Sequence, residues 1–331
     1  MRLPEPRGAL SQALAQNLER PPHRISAPPP GDDRNLCDDD LHLALAVCYE
    51  LHNGGIDGVD DRWEWEPSLL AFRRQLEECF ERALGEEVTH RAVAGDVAAL
   101  LRALVESDPA PSLSRWMAEQ GTPEQFRELV VHRSFYQLRE ADPHTWAIPR
   151  LRGPAKAAMV MVQADEYGNG IAERMHSSLF ANTMKAFELD TVEGAYLDLI
   201  PGVTLAGVNL MHMFGLHRRW RGAIAGHLAV FEMTSTGPNA RYGDALRRFG
   251  YGPDATEFYD EHVQIDEVHQ RIASEQLAAT LAREDPALAS DVVFGGEALL
   301  HLEGLAARNL ISAWERGVSS LRKPVPAVSA A

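Results

Sequence analysis

Apolar residues recur three and four positions apart along most of the chain, which is the spacing of one face of an α-helix. The segments DDDLHLALAVCYELH, EPSLLAFRRQLEECFERAL and AGDVAALLRALVES show this spacing clearly. The alternation of apolar and polar residues that predicts β-strands is scarce, and no internal repeat is evident. The sequence therefore predicts an all-α fold.

Two helix starts carry the signature of a capping box. In TPEQF, Thr122 caps the helix and Gln125 completes the box, and in DATEF, Asp254 and Glu257 occupy the same two positions. Each signal precedes an amphipathic segment, which fixes where we expect a helix to begin. The main helices predicted in this half of the chain cover residues 123–140, 164–180, 191–199, 204–216, 219–234 and 255–283.

Composition divides the chain into four parts. Prolines and polar residues dominate residues 1–35, where RPPHRISAPPPGDDRN offers little apolar surface to offset the conformational entropy of the chain. We therefore expect a flexible arm over 1–35 and a helical extension over 36–90. One large helical domain follows over 91–320, and a flexible tail is expected over 321–331.

Charge and cysteine usage exclude several classes of function. The chain has 331 residues and a net charge of -16, which argues against nucleic acid or an anionic membrane as a partner. Its three cysteines lack C-x-x-C spacing and predict neither a disulfide framework nor a thiolate zinc site. With no apolar signal segment and no apolar stretch of roughly 18 residues, we expect a cytoplasmic protein.

Polar side chains interrupt the apolar face of the helix predicted over 164–180. Because a helix turns about 100° per residue, Glu173 and His176 would lie about 60° apart, and Glu166 about 20° from Glu173. A solvated pair on the surface is the alternative for Glu173 and His176. Otherwise the helix directs two carboxylates and an imidazole to the same side.

A second polar stripe lies in HVQIDEVH, where His262, Asp266 and His269 fall within about 60° of arc. By itself this stripe is also compatible with a structural hydrogen-bond network. Facing the first cluster, with Glu140 at the end of a third helix, it would bury more negative charge than a protein interior tolerates. Two divalent cations would neutralise that charge, and carboxylate and imidazole ligands without thiolate favour iron or manganese.

In these residues the chain resembles the haem-oxygenase-like diiron oxidases and oxygenases, over roughly residues 120–315. That family has a lone glutamate, then E-x2-H, then H-x3-D-x2-H along the chain. The segments READPHTWAIPRL and DEYGNGIAERMHSSLF resemble the sequences that flank these motifs in the family. The resemblance implies a haem-oxygenase-like helical bundle that binds two Fe(II) ions and uses O2 as co-substrate. The implied metal ligands are Glu140, Glu173, His176, His262, Asp266 and His269.

Glu166 adds a finer resemblance. It precedes His176 by ten residues and matches an additional carboxylate ligand in the branch of the family that oxygenates amine nitrogen. The resemblance implies that Glu166 is a seventh metal ligand and a catalytic carboxylate, which changes its coordination while O2 is reduced to the peroxide level. The expected substrate is an amine or an amino-acid-derived small molecule of specialised metabolism, with an external electron donor as a further partner.

Other functions remain open. The same diiron site would also serve hydrogen abstraction from carbon, with desaturation or C–C fragmentation as the outcome. A non-catalytic metal-binding helical protein is a third possibility, although a ferritin-like protein would show two E-x-x-H motifs. Trp63 and Trp65 form either a dimer contact, a lid or ordinary packing, and we expect a homodimer. Tyr136 and Trp146 either line the pocket or pack in the core.

Overall fold

The computed structural model describes residues 1–31 and 33–325, and within them it contains helices and no β-strand, which confirms the all-α prediction. The α-helices are Ala9–Leu18 (α1), Asp39–Glu50 (α2), Pro67–Glu87 (α3), Val97–Glu106 (α4), Leu113–Glu119 (α5), Pro123–Gln137 (α6), Asp142–Thr145 (α7), Gly153–Glu166 (α8), His176–Ala186 (α9), Gly202–Leu216 (α10), Arg221–Met233 (α11), Thr236–Arg248 (α12), Pro253–Arg271 (α13), Ala279–Glu284 (α14) and Ala289–Glu315 (α15). Short 3-10 helices span Asp61–Trp65, Ile148–Arg150, Gly168–Gly170, Ala172–Arg174, Arg218–Trp220 and Pro286–Leu288, and a π-helix spans Ile272–Ala278.

The centre of the bundle is formed by α10, α11 and α15. Helix α11 packs along α15, and α10 packs against both α2 and α15. Because neighbours cover α10 and α11 on several sides, most of their residues are buried. Although α15 is 27 residues long, none of the helices in the described ranges combines the length and apolarity that crossing a membrane requires.

One of the two predicted capping boxes is present. The Gln125 amide donates to the Thr122 hydroxyl at 3.3 Å, and the Thr122 amide donates to the Gln125 side chain at 3.0 Å. The prediction at Asp254 is wrong, because α13 begins at Pro253 with Gly252 before it and no side chain caps it. The helix predicted over 191–199 is also wrong, since that segment forms a series of turns.

The flexible arm predicted for residues 1–35 is wrong where α1 forms. The side chains of Leu10, Leu14 and Leu18 are at most 1% exposed, because α1 packs on α2. Asp40 of α2 accepts hydrogen bonds from the backbone amides of Leu10 and Ser11 at the start of α1. The apolar spacing of those leucines is helical, but the many surrounding prolines dominate the composition on which the prediction of an arm was based.

Ionic contacts join the N-terminal helices to the rest of the chain. Arg139, next to the predicted ligand Glu140, pairs with the buried Glu50 of α2 and with Glu193 at 3.1 Å. Arg322, which belongs to the predicted tail, donates to Asp39 of α2 at 2.9 Å. Residues 326–331 of that tail lie outside the described ranges.

His132 connects three segments, and because its ring is buried we expect the stability of the fold to depend on pH. Its Nδ1 lies 3.0 Å from the Thr204 hydroxyl of α10, and its Nε2 lies 3.0 Å from the Ser320 hydroxyl. Burial lowers the pKa of His132 to about 3, below the value near 6.5 of an unfolded chain. Protonation therefore favours the unfolded state, and the stability that the neutral ring contributes is lost as the pH falls from about 6.5 towards 3.

When the pH falls from 7.5 to 5.0, the free energy of unfolding should decrease in both proteins. We expect the decrease in His132→Gln to be smaller than that in the wild type by about 2 kcal/mol. Urea titrations at both pH values measure this difference. The Ser320→Ala variant is the control, because it removes one partner of the imidazole and keeps the titrating group. Equal pH dependence in His132→Gln and the wild type would contradict the assignment.

Candidate metal centre

Four buried side chains from separate segments converge between α6, α8, α9 and α13. Glu140 lies in the turn after α6, Glu166 is the last residue of α8, His176 is the first residue of α9, and His262 lies in α13. One ligand atom from each lies within 4.8 Å of the others. We call these four residues the first group.

A second group shares Glu166 with the first and adds Glu232 of α11 and His269 of α13, again with ligand atoms within 4.8 Å of one another. The Nδ1 atom of His269 lies 3.5 Å from Glu166 Oε1, 3.7 Å from Glu232 Oε2 and 3.9 Å from Asp266 Oδ1. Three carboxylates therefore surround one imidazole nitrogen. The two groups form adjacent sites with one carboxylate in common.

Hydrogen bonds orient two of the histidines. The Nδ1 atom of His262 lies 2.6 Å from the Phe258 carbonyl oxygen, which can only accept, so this nitrogen carries a proton. The other nitrogen, Nε2, faces Glu140 Oε1 at 3.6 Å. In the same way His269 Nε2 donates to Asp165 Oδ2 at 3.1 Å and leaves Nδ1 facing the carboxylates. Such outer partners are typical of metal-binding histidines, because they hold the ligating nitrogen towards the ion.

Several ligand atoms are buried without a hydrogen-bond partner among the described residues, namely Glu140 Oε2, Glu166 Oε2, His176 Nδ1, both carboxylate oxygens of Asp266, and His269 Nδ1. His176 Nδ1 and Glu166 Oε2 are only 2.8 Å apart, yet their orientation does not make a hydrogen bond. Buried polar atoms are nearly always paired, since an unpaired one destabilises the fold. The donor set and its unpaired atoms fit a bound metal.

The protonation of the cluster reflects its crowded charges. Burial raises the pKa of Asp266, and burial together with the nearby Glu166 charge raises the pKa of Glu232 to about 7. Burial alone would lower the pKa of His262, but the adjacent Glu140 raises it to about 10. The metal-free cluster therefore holds protons that bound cations would displace.

The structure breaks the helix predicted over 164–180. Helix α8 ends at Glu166 and α9 begins at His176, and between them residues 168–170 have φ angles of 63°, 52° and 82°. A right-handed helix cannot continue through positive φ. Glu173 consequently lies on a short 3-10 turn with its side chain exposed, away from both groups. The structure brings the other six predicted ligands together, and Glu173 as a ligand stays a prediction.

Glu232 is the carboxylate of the site that spacing did not identify. It lies in α11 within GHLAVFEM, where the surrounding residues are apolar. Its side chain is 4% exposed and faces His269. A single acidic residue in an otherwise buried apolar helix was the available signal, because such residues are almost never buried without a partner.

Three further buried side chains lie around the cluster, namely Tyr136, His144 and His227. Tyr136 is buried, and burial and the charges of Glu140 and Glu166 raise the pKa of its phenol well above the usual value. His144 and His227 pair through Nε2 and Nδ1 at 3.1 Å, and burial lowers the pKa of both. These two histidines therefore form a neutral buried pair beside the site.

Comparison with known proteins agrees with this geometry. Residues 127–304 match the profile of a family described as iron-containing redox enzymes. The chain is also 30% identical over 145 residues to nitrosourea synthase of Streptomyces achromogenes subsp. streptozoticus, across 44% of this chain and 31% of the relative. The chain thus spans less than a third of that relative's length. The all-α haem-oxygenase-like fold agrees with the family match. The chain therefore belongs to the iron-containing redox enzymes and is an oxidoreductase.

Proposed function

We propose that the protein is an O2-activating non-haem diiron oxygenase that transfers oxygen to the nitrogen of a small-molecule amine. The observation that carries the proposal is the pair of buried ligand groups that share Glu166 and contain unpaired ligand atoms. The relative named nitrosourea synthase supports the choice of nitrogen, because a nitrosourea carries a nitroso group on nitrogen.

The proposed ligands divide between two positions. Glu140, His176 and His262 would hold one ion, Asp266 and His269 would hold the second, and Glu166 would contact both. Glu232, 3.7 Å from His269, is a further carboxylate for the second position. Glu173 would join the site after a change in the backbone of residues 167–175, since its side chain is exposed in this structure.

Two ferrous ions bound here would supply the binding and reduction of O2. The protein residues orient the ligands and exclude water. The Phe258 carbonyl and the Asp165 carboxylate hold His262 and His269 in position. Tyr136 keeps its phenolic proton because its pKa is raised, so its hydroxyl is a hydrogen-bond donor beside the carboxylates. Forming a hydroxylamine uses one oxygen atom of O2 and releases the other as water, which consumes two electrons and two protons. An external electron donor is therefore part of the proposal.

Iron binding provides the first test. We expect metal-free protein titrated anaerobically with Fe(II) to bind about two ions per chain. Because His262 and His269 lie in different groups, His262→Ala and His269→Ala should each bind about one ion. His301→Ala is the control, since His301 lies in α15 outside both groups. Equilibrium dialysis with metal analysis measures the count, and two tightly bound ions in both site variants would contradict the ligand assignment.

The products distinguish nitrogen oxygenation from the alternatives. Iron-loaded protein is supplied with a reductant, a panel of amines and 18O2, and the products are analysed by mass spectrometry. A product that carries 18O on nitrogen supports the proposal. Loss of two hydrogens, or a cleaved C–C bond without 18O on nitrogen, would favour hydrogen abstraction from carbon. Iron binding without any O2 consumption would favour a non-catalytic metal-binding protein.

A further inference from the structure

Glu140 lies in a turn whose backbone is strained. The next residue, Ala141, has a φ angle of 79°, in a region that residues with a Cβ atom rarely occupy. Such a conformation persists only where surrounding contacts hold it. Because Glu140 directly precedes Ala141, the contacts that hold this turn also determine where the Glu140 carboxylate lies.

The side chain of Gln163 in α8 holds the strained residue. Its Nε2 atom donates to the Ala141 carbonyl oxygen at 2.8 Å and to the Thr145 hydroxyl oxygen at 2.6 Å. A carbonyl oxygen can only accept, so one orientation of the Gln163 amide satisfies this contact. The Oε1 atom of Gln163 is then buried without a hydrogen-bond partner in the described part of the chain, which is unfavourable for stability. Gln163 thus holds Ala141 in place while one of its own polar atoms stays unpaired.

Tyr167, directly after α8, makes a second contact with the same turn. Its hydroxyl donates to Asp142 Oδ1 at 2.6 Å. The Thr145 hydroxyl lies 2.9 Å from the phenolic oxygen and donates to it, because the phenol has only one proton. The hydrogen bonds therefore run in one direction, from the Gln163 amide through two hydroxyl groups to the Asp142 carboxylate. We call the hydrogen bonds Gln163–Ala141 and Tyr167–Asp142 the two ties.

The two ties join the segments that carry Glu140 and Glu166. They start from the residues three before and one after Glu166, and they end on the two residues that follow Glu140. The two glutamates have ligand atoms within 4.8 Å of each other, and among the described residues one oxygen of each is buried without a hydrogen-bond partner. Without a metal, neighbouring carboxylate charges repel each other. The ties on the adjacent residues oppose that repulsion.

We propose that Gln163 and Tyr167 are positioning residues that fix the separation of Glu140 and Glu166 and thereby raise the affinity of the first group for a metal ion. Neither side chain belongs to a ligand group, so each acts through the neighbour of a ligand. Removing an outer partner of a metal ligand typically lowers metal affinity about 10- to 100-fold. The inference rests on the proposed function for the identity of the metal, but the ties themselves require neither iron nor O2.

The two groups should respond differently when a tie is removed. Glu166 is fixed by the backbone of α8, whereas Glu140 follows α6 in the strained turn. Loss of a tie should therefore move Glu140, which belongs to the first group and not to the second. A general loosening of the fold would weaken both groups together. The difference between the groups is thus a result that a merely structural role would not give.

Anaerobic Fe(II) titration of variants of the full chain tests the inference. His269→Ala leaves the first group intact, and adding Tyr167→Phe should weaken the remaining Fe(II) site about tenfold or more. His262→Ala leaves the second group intact, and the same addition should leave its affinity unchanged. Gln163→Met should reproduce both results. An unchanged affinity in the His269→Ala background, or an equal loss in both backgrounds, would overturn the proposal.

Conservative variants separate the hydrogen bond from the volume of the side chain. Asp142→Asn keeps an oxygen that accepts from Tyr167 and should retain the affinity, whereas Asp142→Ala should match Tyr167→Phe. Combining Asp142→Ala with Tyr167→Phe should add no further loss, because both changes remove the same tie. Tyr196→Phe is the matched control, since the Tyr196 hydroxyl accepts from the Asp190 amide outside both groups. It should leave both affinities unchanged.

The outcome for the ties can be told apart from the outcome for the proposed function. Selective weakening of the first group, in a wild type that incorporates no 18O into any amine, would uphold this inference and contradict the proposed function. Incorporation of 18O on nitrogen, with Fe(II) affinities that Tyr167→Phe and Gln163→Met leave unchanged, would do the reverse.

Discussion

The Asp266→Asn variant is expected to lose at least a hundredfold in Fe(II) affinity at the second metal position, while its metal-free form becomes more stable than the wild type. Asp266 is fully buried, and neither of its oxygens has a hydrogen-bond partner in the described residues. Burial raises the pKa of its carboxyl, which means that the charge destabilises the metal-free fold. Removing the charge should stabilise that form by on the order of 1 kcal/mol.

The opposite signs of the two effects make this prediction informative. A carboxylate with only a packing role would destabilise the protein when replaced and leave iron binding unchanged. Asp254→Asn is the control on the same helix, because Asp254 is exposed in the first turn of α13 and should alter neither quantity by much. Anaerobic Fe(II) titration and urea unfolding of the metal-free proteins measure the two effects. An unchanged affinity in Asp266→Asn would remove Asp266 from the ligand set.

The second large effect is expected at Gly226, in the tight contact between α11 and α15. A Cβ atom on Gly226 would lie 1.7 Å from the Val292 carbonyl oxygen, and one on Gly295 would lie 2.0 Å from the Ala223 carbonyl oxygen. Backbone atoms cannot yield as a flexible side chain can, so the two helices would have to separate. We expect Gly226→Ala to destabilise the protein by at least about 4 kcal/mol.

Separating these helices would also move the metal centre, because α11 carries Glu232. Gly85→Ala is the matched control, since Gly85 is a helical glycine in α3 with open space around it. It should stabilise the protein by up to about 1 kcal/mol, as alanine is the better helix former. Urea unfolding compares the two variants, and a loss below about 1 kcal/mol in Gly226→Ala would show that the contact is adaptable.

Local pattern was sufficient for much of the fold and for part of the site. Helix periodicity depends on neighbours within one or two turns, so the stripe of His262, Asp266 and His269 on α13 could be predicted without any tertiary contact. The capping box at Thr122 is equally local, because both of its hydrogen bonds join residues three apart. These features are determined by the sequence of one segment.

Local pattern failed where a segment's conformation depends on residues with unusual backbone angles. Two glycines and an asparagine with positive φ lie between the end of α8 and Glu173. The angles about a helix axis that place Glu166, Glu173 and His176 on one face therefore do not apply, because the helix is not continuous. Glu166 and His176 still meet, through a turn instead of a shared helical face. The sequence predicted that both side chains face the metal site, but it placed them on one continuous helix, which was wrong.

By itself, the sequence determined the helical class, the polar stripe of α13 and the residues from which a metal site could be built. Only the tertiary structure decided that α1 is buried against α2, that Glu232 joins His269, and that Asp165 orients the same imidazole. The physical reason is distance along the chain. Asp165 and His269 are separated by 104 residues, and no periodicity within either segment encodes their contact. Such pairs form when whole helices pack, which depends on the shape of every face in the bundle.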